Sequence, residues 1–276
     1  MTRLSVLGYA SGSPLSHSVM RRIAADHDLI AIVTPARGLR AWLKRVLRFR
    51  VWGDVAGPMA AEGMAACLSP DLIVVASYPK ILPLAALQRA RVGALNVHMS
   101  VLPRHRGIDP VFSTYWHDDA DAGVTVHWMD AGVDSGDIAA QVVIPLVRGR
   151  ASRDLYFELA ERAAALVADL LSRVAEGDVP RRAQGGSDAT TITAADIVLA
   201  RVPFATWPAE RVWHVLSGLG DQHDALIADS DGAPALRGRA IGWKHSDVCQ
   251  PGRIDHVTVG YDLHCSDGIV TIERES

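Results

Sequence analysis

The chain has 276 residues, of which 49% are apolar, 21% charged and 6% aromatic, which excludes a disordered or collagen-like polymer and suits one large domain or two modest ones. A net charge of -3 speaks against a surface that traps polyanions everywhere, and three cysteines (Cys67, Cys249, Cys265) that cannot all pair suit a reducing compartment. The apolar run near Met1 is too short for a signal peptide and no apolar stretch approaches the ~20 residues that span a bilayer, so a cytoplasmic protein without a membrane partner is expected. Along the chain, Leu4–Leu7 reads as a buried strand ending at Gly8, Ser16–His27 as a helix, and Leu29–Val33 as a second strand closed by Pro35. Leu72–Ala76 and Ala94–Val97 are further apolar runs with helical patterns between them. Such alternation implies βαβ units and a largely parallel sheet, with ligands outside the carboxyl ends of its strands. Gly123–Met129 and Asp137–Ile144 read as two more strands, and Ser152–Glu176 as a long amphipathic helix stopped by Gly177. Residues 1–180 are thus an expected α/β domain built on a largely parallel sheet. A Gly- and Ser-rich stretch marks 181–205 as a linker, and 206–276 as a small β-rich domain with a short helix at Pro208–Leu216 and strands from Ala225 onward.

Chemistry concentrates in Asn96–Asp137. Asn96 and His98 lie two apart at the end of a buried strand, so both side chains share one face. Asp134 follows in the glycine-flanked run Gly132–Asp137. An amide, an imidazole and a carboxylate suit attack of a neutral amine on a carbonyl. Asn96 can donate to the developing oxyanion. His98 can take or give a proton near neutral pH. Asp134 can fix the His98 tautomer and favour its cation, or accept the amine proton directly or through water. No nucleophilic serine or cysteine stands in the motif, which favours direct transfer.

Asn96-x-His98, Leu102-Pro103-x-x-Arg106-Gly107 and Asp134-Ser135-Gly136-Asp137 together resemble the folate-dependent formyltransferase family, over roughly residues 1–180. The resemblance implies a Rossmann-like catalytic domain, 10-formyltetrahydrofolate as formyl donor and co-substrate, and the three roles above for Asn96, His98 and Asp134. It also implies that Ser77–Pro83, with Tyr78, Lys80, Ile81 and Leu82, meets the folate on one side, and that Ala131, Gly132 and Val133 form the opposite wall. Thr190–Leu219 resembles the family's bridge into a small open β-barrel.

The acceptor is less constrained. Arg37–Arg50 carries basic residues on an expected amphipathic helix. Arg40 and Lys44 there, with Arg106 and Asp109 near the motif, are candidate acceptor-binding groups; a solvated helix packed on the sheet is the plain alternative for Arg37–Arg50, and a membrane-surface helix the third. His98-Met99 and Gly132–Asp137 lean toward a nucleotide-linked amino sugar. Methionyl-tRNA and an amino-acid-derived amine are the alternatives, with a formyltetrahydrofolate hydrolase and a silent folate-binding module behind them. His105, His117 and His127 are expected to be packing or surface residues. No metal is expected, because His245, Cys249, His256, His264 and Cys265 include no Cys-x-x-Cys pair.

Overall fold

The computed structural model describes residues 2–34, 59–60, 67–220, 227–228, 234–236 and 239–273. The basic segment with Arg40 and Lys44 lies outside these residues. The elements in order are β1 Ser5–Ala10, α1 Pro14–Asp26, β2 Asp28–Val33, β3 Met59–Ala60, β4 Leu72–Ala76, α2 Leu84–Leu87, β5 Gly93–His98, β6 Arg106–Gly107 and α3 Pro110–Trp116. There follow β7 Asp121–Trp128, β8 Ile138–Pro145, α4 Ser152–Ala175, β9 Thr191–Ile192, α5 Ala194–Leu199, α6 Ala209–Leu219, and β10 to β15 at Ile227–Ala228, Pro234–Leu236, Arg239–His245, Ile254–Val257, Gly260–His264 and Gly268–Glu273. Among the described residues no helix is long and apolar enough to cross a membrane.

The chain divides into two compact units. The first comprises Met1–Pro110, Ala122–Ile144 and Tyr156–Thr191; the second comprises Val111–Asp121, Pro145–Leu155 and Ile192–Ser276. The first is built on a seven-stranded sheet in the order β3-β2-β1-β4-β5-β7-β8. Strands β1 to β5 are parallel neighbours, while β7 pairs antiparallel with β5. The sheet is therefore mixed, though parallel-dominated. β1 does not end at Gly8 as its sequence suggests but runs on to Ala10. Gly8 is there for space: a Cβ at that position would lie 2.4 Å from Sδ of Met20, on the helix that covers this face. α1 also starts earlier than the periodicity implies, at Pro14, with the Ser13 hydroxyl accepting from the Ser16 backbone N–H.

Register fixes which side chains share a face. Tyr9 lies beside Val75, Val75 beside Asn96, and Ile73 beside Ala94. Leu7, Tyr9, Val33, Ile73, Val75 and Ala94 form one apolar cluster on this face. Alternation along β5 then puts Ala94, Asn96 and His98 in line, so the face turns from apolar to polar at the carboxyl end of the strand.

The second unit holds an antiparallel four-stranded sheet in the order β12-β15-β14-β13, with α6 packed on β12 and β15. Pro208 at the head of α6 has no side-chain cap, and the Asp267 carboxylate supplies one by accepting from Ala209 N at 2.7 Å. α6 continues past Leu216 to Leu219. Among the described residues no group of three His, Cys, Asp or Glu has a metal-holding arrangement. His264 is instead bound to Asp255 at 3.0 Å, and burial pushes the Cys265 thiol up to about 12.

Candidate active site

Asn96 and His98 come from the end of β5, and Asp134 from the loop between β7 and β8. The structure brings the three together. The Asn96 amide donates to Asp134 Oδ1 at 3.1 Å, and His98 Nδ1 lies 3.6 Å from Asp134 Oδ2. The Gly107 backbone N–H donates to that same Oδ2 at 2.9 Å. The motif turn after β5 and the loop after β7 thus meet at one carboxylate.

The ring of His98 is oriented from both sides. Nε2–H donates to the His105 carbonyl at 2.7 Å, which leaves Nδ1 toward Asp134. Burial holds the His98 imidazole below the usual histidine range, against Asp134 and the His105 carbonyl, which favour its cation. Asp134 responds oppositely. Burial alone would raise its carboxyl, but His127, His98 and the Gly107 N–H outweigh it and push the group down to about 2. Asp134 is therefore ionised, and Nδ1 of His98 is the atom at which a proton would be held.

His127 is a member of the site that sequence reasoning missed. It is buried, and its Nδ1–H donates to the Trp128 carbonyl at 3.0 Å. Nε2 then lies 3.1 Å from the Asn96 amide nitrogen and 3.3 Å from Asp134 Oδ1, accepting from the amide in the neutral ring and donating to the carboxylate when the ring is protonated. The expectation of a plain packing histidine fails because Asn96 and His127 are cross-strand partners in the antiparallel β5–β7 pair. Both amide hydrogens of Asn96 are thereby engaged, so an oxyanion role requires one of them to be released when a ligand carbonyl arrives.

The other expected residues are placed as follows. Tyr78 stacks edge-on against Tyr9, ring centroids 5.2 Å apart, and packs with Leu82 and Met129 against the apolar cluster. Lys80 and Ile81 are exposed, Ile81 at 86%. Ala131, Gly132 and Val133 are exposed on the Asp134 loop, where Asp130 staples the turn by accepting from Gly132 N and the Ser135 hydroxyl, both at 2.9 Å. Arg106 donates through Nε and Nη2 to Gln184 Oε1 at 3.1 and 2.6 Å, so its guanidinium is engaged within the fold. Asp109 is exposed at φ 44° immediately before α3.

Against this geometry, a family model described as formyl transferase matches residues 55–171. The methionyl-tRNA formyltransferase of Aromatoleum aromaticum is 32% identical over 250 residues, covering 80% of this chain and 72% of the relative. That of Paracoccus denitrificans is 30% identical over 276 residues, covering 95% and 89%. Two solved structures share the fold. An N-formyltransferase from Helicobacter canadensis in complex with folinic acid and dTDP-3-aminofucose gives a TM-score of 0.76 at 15% identity, covering 100% of both chains. WlaRD, a sugar 3N-formyl transferase solved with dTDP and 5-N-formyl-THF, gives 0.72 at 14% identity, covering 99% of this chain and 98% of that one.

Proposed function

The chain belongs to the formyltransferase family, and from that premise we propose that it moves the formyl group of 10-formyltetrahydrofolate to the primary amine of a nucleotide-linked amino sugar. The observation that carries the transfer is the joint placement of Asn96, His98 and Asp134 at the carboxyl end of β5. The donor would supply a formyl carbon activated by its ring-borne nitrogen. The residues present fit it: an amide, an imidazole and a carboxylate converge at a polar strand end, and the two flanking loops leave apolar Ile81 (86%) and Val133 (53%) in solvent, where a flat apolar ligand face would cover them.

In this reading Asn96 releases its N–H from His127 and offers it to the formyl oxygen as negative charge grows there. His98 Nδ1 takes the proton that the attacking amine loses, while its Nε2–H stays on the His105 carbonyl. Asp134, ionised throughout, stabilises the resulting imidazolium at 3.6 Å and serves as its electrostatic partner. As the bond from the formyl carbon to N10 of the donor breaks, the proton held on His98 Nδ1 would pass to N10, so that tetrahydrofolate leaves neutral, His98 is regenerated and no covalent enzyme intermediate is needed.

The sugar acceptor is supported by the correspondence in length, since the two sugar-acting structures align over 98% and 100% of their chains. Identity of 30–32% favours methionyl-tRNA as the second reading. The test is direct. The protein is incubated with 10-formyltetrahydrofolate and, separately, dTDP-linked amino sugars, charged methionyl-tRNA and ornithine derivatives, and products are read by mass. A gain of one formyl group on the sugars alone supports the first reading, and on the tRNA alone the second. Formate released without any formylated acceptor points to a hydrolase.

A further inference from the structure

Residues 181–190 are almost all exposed; Gln184 is one of only two that are half-buried. Its amide is saturated. Nε2 donates to the Asp134 carbonyl at 2.9 Å and to the Gly136 carbonyl at 2.7 Å. Oε1 accepts twice from Arg106, at 3.1 and 2.6 Å. Two donors and two lone pairs are the whole capacity of a glutamine side chain. Six residues on, the Thr190 hydroxyl accepts from His105 N at 2.8 Å, and the Thr190 carbonyl accepts from Arg106 N at 2.9 Å.

The two residues held this way share a property. Asp134 has φ 50° and His105 has φ 60°, left-handed conformations that non-glycine residues keep only where their surroundings over-determine them. They are also the two partners of the His98 ring, His105 through its carbonyl on Nε2 and Asp134 through its carboxylate facing Nδ1. Each is gripped on its backbone by the same exposed segment.

We propose that the segment from Gln184 to Thr190 is a strap that positions the reaction centre, with Gln184 and Thr190 as positioning residues that set the orientation and tautomer of His98 through Asp134 and His105. Neither residue touches the reacting atoms. The strap's effect on rate presupposes formyl transfer at this site, whereas its effect on the His98 ring does not.

The test uses the full chain labelled with [15N]histidine. Long-range proton–nitrogen correlation reads the His98 tautomer, with the signal assigned by its loss in His98→Gln. The native protein should show a single Nε2–H ring near neutral pH. Gln184→Met keeps the side-chain length and removes all four hydrogen bonds; Thr190→Val keeps the shape and removes the hydroxyl acceptor. In each, the His98 signals should move toward a mixture of tautomers in a protein that still unfolds cooperatively. With whichever acceptor of the panel is formylated, kcat should fall about 10- to 100-fold with KM values nearly unchanged. If Gln184→Met does not fold, Thr190→Val decides alone by the same signals. His98 signals identical to native in the folded variants overturn the strap, whatever the turnover. Altered signals in a protein that formylates nothing in the panel uphold the strap and count against the formyl-transfer reading.

Discussion

At Asp134 both carboxylate oxygens are committed, Oδ1 to the Asn96 amide and Oδ2 to the Gly107 N–H. Asp134→Asn must therefore turn an amino group toward one of two donors, and it removes the charge that favours the His98 cation. Formyl transfer should fall at least about 100-fold, with affinity for 5-formyltetrahydrofolate, read by calorimetry, nearly kept. The pH profile supplies a second reading. If His98 acts as the base, activity is lost as pH falls through its pKa, which burial already holds below the usual 6.5. Asp134 opposes that lowering, so the acid limb of the residual activity in Asp134→Asn should move to still lower pH. Asn96→Ala should cost about 2.7–4 kcal/mol in kcat/KM if its N–H meets the oxyanion. A variant within a few-fold of native turnover would remove Asn96 from that role. These side chains were partly legible in the sequence. Period two put Asn96 and His98 on one face, and the glycine-flanked motif singled out Asp134. His127 was not legible, because its place beside Asn96 comes from pairing between strands about thirty residues apart in the chain, which local spacing does not encode.

Among the elements, the loop between β7 and β8 has little slack. A Cβ on Gly136 would lie 1.9 Å from the Trp128 carbonyl oxygen, a backbone atom that no rotamer change can move. Gly136→Ala must therefore shift the loop two residues from Asp134 and pull the Gly136 carbonyl off Gln184. Turnover should collapse in this variant while the far-ultraviolet spectrum stays native, and unimpaired turnover would show that the loop tolerates a shift. Strand content is readable in the apolar run Leu72–Ala76, which is β4 residue for residue. At Gly8 it is not, because a glycine that signals a strand end is here a gap for Met20. The composition of the stretch with Gln184 signals a linker, since glycine, serine and charge indicate solvent exposure and carry no sign of one inward amide.

For the molecule as a whole, acid sensitivity should come from groups in both units. In the second unit His214 is fully buried on α6, where Nδ1 accepts from Gly149 N at 3.0 Å and burial, with Arg148 adding, pushes its pKa down to about 4. The unfolded chain takes up that proton near 6.5, so this stabilisation is intact above about 6.5 and drains away as pH falls toward 4. Asp134 acts lower: its contribution is present above about 3.8 and is lost as pH falls through about 2. His214→Asn keeps an acceptor for Gly149 N and does not titrate. Its melting temperature should change less than the native protein's between pH 7 and 5, and parallel curves would acquit His214. The second unit's three separate stretches carry a final consequence. A ribosome releases residues 111–121 and 145–155 well before 192–276, so Tyr115, wholly enclosed in the finished unit, must wait uncovered for partners such as His214 that have yet to be made. Trimming the tail would leave that aromatic ring stranded inside the remaining chain, and a protease cut near residue 192 would be felt far upstream of the nick.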